Sequence, residues 1–322
     1  MTGCKHCVAA IRERLYTFKL KHRVSGCNFL YEHLRSECEF FLPGLFELIQ
    51  SPQQWIGGDE FPGFPLSPER VARENFHIEV VIAPLPFVAV VVRVVCPQCS
   101  RSHRIIHLGA NFYVLASHFS AYLAGTGLGT RDFVRLAIEL RSTKPEWNRF
   151  SAPQALRRDV LTYGMAWIMC HEIGHFASPS ATSLPSLDVP DYARAHLVEE
   201  ANADRMSFSI LSHRVHAMPN NQTERFAAIL AGVLLMLNTW NLLIPKAWGR
   251  QSDISGYGPR VGAITPSPAL RWRCVRDTFD GLVSLGVASE MSFQHLREEM
   301  FPELTRKMFE LQEILDEFPI PT

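Results

Sequence analysis

The pentad His171-Glu172-Ile173-Gly174-His175 constrains the backbone more tightly than any other stretch of the chain. Two histidines at i and i+4 share one face only in a helix, so the pair has a definite geometry there and none elsewhere. Upstream, Leu156, Val160, Leu161, Met165 and Ile168 form an apolar stripe at helical spacing, with Ser151 at the cap position and Ser178-Pro179 as the stop. The spacing predicts one helix over 153–177 with both imidazoles near its end. Such a pair can hold one Zn2+ at about 2.0 to 2.1 Å per nitrogen, and a glutamate beside it can take a proton from water.

A catalytic zinc needs a third protein ligand and one open position. Val198-Glu199-Glu200-Ala201-Asn202-Ala203-Asp204 offers one on a second predicted helix, 192–212. Glu200 and Asp204 share a face at i,i+4, so Glu200 reads as the ligand and Asp204 as the acceptor of a ligand histidine's outer N–H. His196, one turn earlier, and the adjacent Glu199 remain alternatives for the third ligand, because spacing alone does not choose among them.

At these residues the chain resembles the gluzincin metallopeptidases, in which HExxH is completed by a downstream ExxxD helix, as in the M48 peptidases and the ImmA/IrrE group. Thr265-Pro266-Ser267-Pro268-Ala269-Leu270-Arg271 is similar to the HPSxxxR segment of M48-like enzymes, with Thr265 where that segment has its histidine. A more distant resemblance is to the phage-exclusion metallopeptidases that cut a host protein inside the cell. The resemblance covers 111–285 at most. It implies a zincin-like fold, a single catalytic zinc held by His171, His175 and Glu200, and hydrolysis of a peptide bond in a protein or peptide substrate. Glu172 is then the catalytic base, and Arg271 a contact to the transition state. Tyr257, in the loop before Arg271, is a second candidate donor to an oxyanion.

Around this centre the pattern is mostly helical. Helices are predicted at 113–123, 131–140, 224–243, 269–285 and 292–317, with two or three more before residue 50. The β-branched runs 76–82 and 87–95, followed by 104–108, predict a small sheet. The fold class is α+β, with a helical region at 1–75, a Gly/Pro-rich linker at 51–68, and a metallopeptidase domain at 76–322. The stretch 226–244 is the longest apolar run, but Asn238, Thr239 and Asn241 interrupt it, so it reads as a buried core helix and not a membrane span.

Eight cysteines among 322 residues are too few for a disulfide scaffold. Cys4 pairs with Cys7 and Cys96 with Cys99, each as CxxC, and the second pair falls between two strands. Four thiolates would make a structural zinc site if the amino terminus packs against that hairpin. Cys170 is read as core packing, and His103 and His107 resemble a metal pair at i,i+4 but lie in an extended segment, where that spacing does not bring side chains together well. The amino terminus lacks an export signal, which points to a cytoplasmic protein. Lys and Arg number 32 against 32 Asp and Glu, so no global positive field exists to hold nucleic acid. The rival reading is a regulatory or nucleic-acid-associated zinc protein in which the Cys pairs form the binding module.

Overall fold

The computed structural model describes residues 27–50, 78–83, 88–96, 102–125, 127–140, 158–177, 189–243 and 268–296, together with 13 and 98. The chain divides into two compact units, Met1–Val114 with Ser142–Pro153, and Leu115–Arg141 with Gln154–Thr322.

In the first unit, α1 (Asn28–Phe41) and α2 (Leu45–Gln50) precede β1 (Ile78–Ala83), β2 (Ala89–Val95) and β3 (Ser102–Gly109). The strand order is β1-β3-β2. β3 runs parallel to β1, with Ile78 opposite Arg104, and antiparallel to β2, with Ala89 opposite Leu108. On the central strand β3, Ile105, Ile106, His107 and Leu108 are all buried, whereas among the described side chains of the edge strand β1, Ile78, Val80 and Ile82 are buried and Val81 is half-buried. Both α1 and α2 pack on β1. The β2–β3 hairpin is the expected strand and returning strand: it closes at Val95 opposite Ser102, so 96–101 is its connection.

The helix α3 (Ala110–Leu123) starts directly after β3 and continues into the second unit. There it is followed by α4 (Thr130–Leu140), α5 (Arg158–Ala177), α6 (Val189–His216), α7 (Gln222–Leu243), α8 (Pro268–Ser284) and α9 (Glu290–His295). The short helix α4 is amphipathic, burying Phe133, Val134, Leu136, Ala137 and Leu140. Phe133 stacks on Phe119 and Tyr122 at 5.5 and 5.0 Å between ring centroids.

The helix α5 is different in kind, with every position from Val160 to His171 buried. A helix apolar all round must lie inside a bundle. It packs against both α6 and α7. The α5–α7 crossing is set by glycine on both sides: a Cβ on Gly232 would lie 2.6 Å from the Gly164 nitrogen, and one on Gly164 would lie 2.7 Å from the Gly232 oxygen. Backbones in such contact leave no room for any side chain. The polar residues that interrupt α7 are absorbed locally, since Asn238 Nδ2 donates to the Leu234 carbonyl and Thr239 Oγ1 to the Leu235 carbonyl, both at 2.7 Å. This is the expected core helix, and among the described residues no helix is long and apolar enough to cross a membrane.

The helix α6 runs to His216 and not to Ser212, because Val215 is fully buried and extends its packing face past the polar His213-Arg214 pair. The final predicted helix is described only as Glu290–His295; 297 onward lies outside the described residues, as do the linker at 51–68 and residues 1–12.

The glycine crossing gives a paired prediction. Gly232→Ala must force α5 and α7 apart and is expected to destabilise the protein by about 1–3 kcal/mol. Gly281→Ala, at an exposed position of α8 with nothing within 4 Å of its new methyl group, is expected to stabilise by up to about 1 kcal/mol through helix propensity. Denaturant unfolding of the two variants measures both signs.

Candidate metal centre

His171 and His175 lie in the last two turns of α5, and Glu199, Glu200 and Asp204 on the facing part of α6. What lets the helices meet there is the glycine inside the pentad. A Cβ on Gly174 would lie 2.6 Å from Ala203 Cα and 2.9 Å from Ala203 Cβ. The small pair Gly174/Ala203 therefore brings α6 in close between the two histidines, near enough for short carboxylate side chains to reach both.

The donor atoms converge. His171 Nε2 and His175 Nε2 are 3.0 Å apart, and the Glu200 carboxylate oxygens lie 3.4 Å from the first and 3.5 Å from the second. Three donors bound tetrahedrally at about 2.0 to 2.1 Å would stand roughly 3.4 Å from one another, so this spacing suits a zinc-sized ion. The donor chemistry suits it too, because two imidazole nitrogens that close need a proton or a cation between their lone pairs. His171, His175 and Glu200 thus form a group that could hold a metal ion. The rings stand perpendicular, with centroids 4.7 Å apart.

The outer nitrogens face carboxylates. His171 Nδ1 is 2.9 Å from Asp204 Oδ1. Asp204 has no exposed surface and is held from its other side by Arg271, whose Nη2 donates to Oδ1 at 2.6 Å and whose Nε donates to Oδ2 at 3.0 Å. Nη2 also lies 3.1 and 3.4 Å from the two nitrogens of the His171 ring, an almost even placement that sets the guanidinium against the ring as a whole. The Arg271 carbon lies 5.0 Å from the ring centres of both Trp167 and Trp240, so the cation is packed between two indoles.

Charge balance follows from these contacts. Burial would raise the Asp204 and Glu200 carboxyls, but Arg271 and His171 hold Asp204 below its usual range, and His171, His175 and Arg271 do the same for Glu200. Burial and the Arg271 charge pull the His171 imidazolium down; the carboxylates of Asp204 and Glu200 outweigh them and push it up to about 9. Cys170, adjacent in sequence, is fully buried and its thiol is pushed up to about 12 by that burial, which keeps it a packing residue.

Other sequence candidates are placed as follows. Glu172 is half-buried on α5. Glu199, an alternative third ligand, instead lies 3.4 Å from His175 Nδ1. The backbone of His196 is in α6, a turn before Glu200. Cys96 is buried directly after β2, and His107 is buried in β3. Cys4, Cys7, Cys99, Tyr257 and Thr265 lie outside the described residues. Sequence reasoning missed Trp167 and Trp240. Trp167 was within reach of it, being one helical turn before His171, whereas nothing in the sequence ties Trp240 to Arg271.

Residues 131–253 match the model of a family described as Peptidase U49, which supports a peptidase. The matched span holds α5 and α6 entire, with the His171–Glu172–His175 and Glu200–Asp204 segments, and ends before Arg271. No curated protein and no solved structure matches the chain.

Asp204 and Arg271 form a buried ion pair, and removing one partner of such a pair typically costs about 3–5 kcal/mol. Arg271→Ala is expected to lower stability by that amount, and Arg271→Lys, which keeps the charge but loses the two-pronged geometry, by less. Chemical unfolding at neutral pH checks the order.

Proposed function

We propose that the chain is a zinc-dependent endopeptidase of gluzincin type, hydrolysing a peptide bond in a protein substrate, with His171, His175 and Glu200 holding the zinc. The observation that carries this reading is the convergence of those three donors within a span that matches a peptidase family. The zincin-like fold belongs to the same proposal, supported by the ExxxD pattern facing the histidine pair. When bound, the zinc supplies Lewis acidity, acidifying a water and polarising the scissile carbonyl.

The chain's own residues do the rest. Glu172, next to His171 and half-buried, takes the proton of the attacking water and passes it to the leaving amine. Asp204 accepts the His171 Nδ1 proton, which fixes the ring with Nε2 toward Glu200. Arg271 neutralises Asp204 and is the first candidate for a contact to the substrate oxygen that develops negative charge. Tyr257 stands as a second candidate for that contact.

The paired cysteines Cys4, Cys7, Cys96 and Cys99 are proposed to hold a separate structural zinc. Support comes from the β2–β3 hairpin, whose short connection carries Cys96 and Cys99 and starts from a buried cysteine. Thiolate ligands persist in a reducing compartment, so a cytoplasmic location goes with this reading.

Glu172→Gln is expected to keep its zinc while losing about 10²- to 10⁴-fold in turnover of a library of unstructured peptides read by mass spectrometry. A metal-loaded variant that still turns over at the wild-type rate removes Glu172 from the mechanism. Glu200→Ala should lose the catalytic zinc and His196→Ala should retain it; the reverse result makes His196 the ligand.

For the cysteine site, replacing Cys4 and Cys7 with serine should remove one zinc equivalent by elemental analysis while His171 and His175 remain loaded. Unchanged stoichiometry means that these cysteines share no metal.

A further inference from the structure

We propose that Glu199 is the positioning carboxylate of His175, accepting its Nδ1–H so that Nε2 faces the metal, in parallel with Asp204 at His171. The proposal rests on the zinc reading of the site and adds a residue to it. Neighbouring residues on a helix point about 100° apart, so Glu199 and Glu200 leave α6 in different directions. Glu200 meets the two Nε2 atoms, and Glu199 Oε1 lies 3.4 Å from His175 Nδ1. The two faces of the His175 ring edge are therefore read by two consecutive glutamates.

Burial gives Glu199 a reason to be there. Its side chain is 9% exposed, and a carboxylate so shielded from water needs a hydrogen-bond donor. His175 in turn needs an anchor more than His171 does. The His171 ring is 5% exposed, packed beside Trp167 and held at 2.9 Å by Asp204, whereas the His175 ring is 20% exposed and packs edge-on against the His171 ring, 4.7 Å between centroids. An imidazole with no acceptor at Nδ1 can present either nitrogen by a ring flip or a tautomer change. A carboxylate at Nδ1 selects the Nε2-presenting form before the metal arrives, which lowers the ordering cost of binding. On this arrangement a single helix supplies the third ligand and the outer-shell acceptor of each histidine, at 199, 200 and 204.

The test uses full-length protein and Zn2+. Chelator competition on wild type, Glu199→Ala and Glu199→Gln is expected to show about 10- to 100-fold weaker zinc binding for Ala at unchanged stoichiometry. Gln, which retains an acceptor oxygen at the same place, should lose less than Ala. The companion readout is 15N NMR of labelled histidine: the His175 Nδ1–H signal should be lost or exchange-broadened in Glu199→Ala while that of His171 persists. A merely structural role for Glu199 would move neither the tautomer signal nor the Ala-to-Gln order. Zinc binding by Glu199→Ala within twofold of wild type, with the His175 signal intact, overturns the proposal. Loss of the zinc equivalent from both variants overturns it as well, by making Glu199 a ligand. Failure of the underlying reading looks different, since the wild type itself would then bind no zinc at this site.

Discussion

The close approach of α5 and α6 at Gly174 and Ala203 is the contact on which the site depends. Packed helices ordinarily keep their axes about 8–10 Å apart, and side chains of ordinary size at the crossing enforce that distance. Here the crossing falls between His171 and His175, and a methyl group on Gly174 would collide with the α6 backbone. The reach of a carboxylate is short, so the distance across the crossing decides whether Glu200 and Asp204 touch the imidazoles at all. With the helices this close, both carboxylates reach them, at 2.9 to 3.5 Å. A larger residue at 174 would keep the motif's histidines and lose their partners.

Bringing the helices together concentrates charge. Glu199, Glu200 and Asp204 are all buried on one stretch of α6, and buried carboxylates are tolerated only when paired. The arginine from α8 supplies one compensating charge, and its packing between Trp167 and Trp240 is what makes a buried guanidinium tenable, since each indole face is a partial replacement for water. The remaining negative charge explains why the His171 imidazolium is pushed up in spite of burial and a neighbouring cation. The same surplus of negative charge lies at the three donors His171, His175 and Glu200, the group that could hold a metal ion.

Much of this was legible in the sequence, and the reasons for the rest are physical. Periodicity located α4 to α8 because each carries apolar residues at helical spacing, and it identified the three strands because β-branched runs of that length have few other uses. It could not order the strands, since β1 and β2 read alike and only pairing puts β3 between them. The convergence of His171, His175 and Glu200 was legible because helical spacing converts sequence offsets into faces. The contact of Glu199 with His175 Nδ1 was not, because Glu199 differs from the adjacent Glu200 only in direction, and direction is referenced to a second helix. Gly164 and Gly232 were likewise silent: a glycine in a helix pattern reads as a weakness until its partner across the crossing is known.

The counter-ion shows most clearly how a motif differs from a site. Arg271 is 67 residues from Asp204 and 100 from His171, beyond the span that matches the peptidase family. The local pieces, a histidine pair on α5 and an acidic turn on α6, can each form from nearby sequence, but together they place an uncompensated carboxylate where no water reaches. Docking of α8 supplies the guanidinium, and α7 supplies the second indole that shields it. Assembly of the cluster is therefore a property of four helices, and the same aspartate that lies 2.9 Å from His171 Nδ1 is what makes the fourth helix necessary.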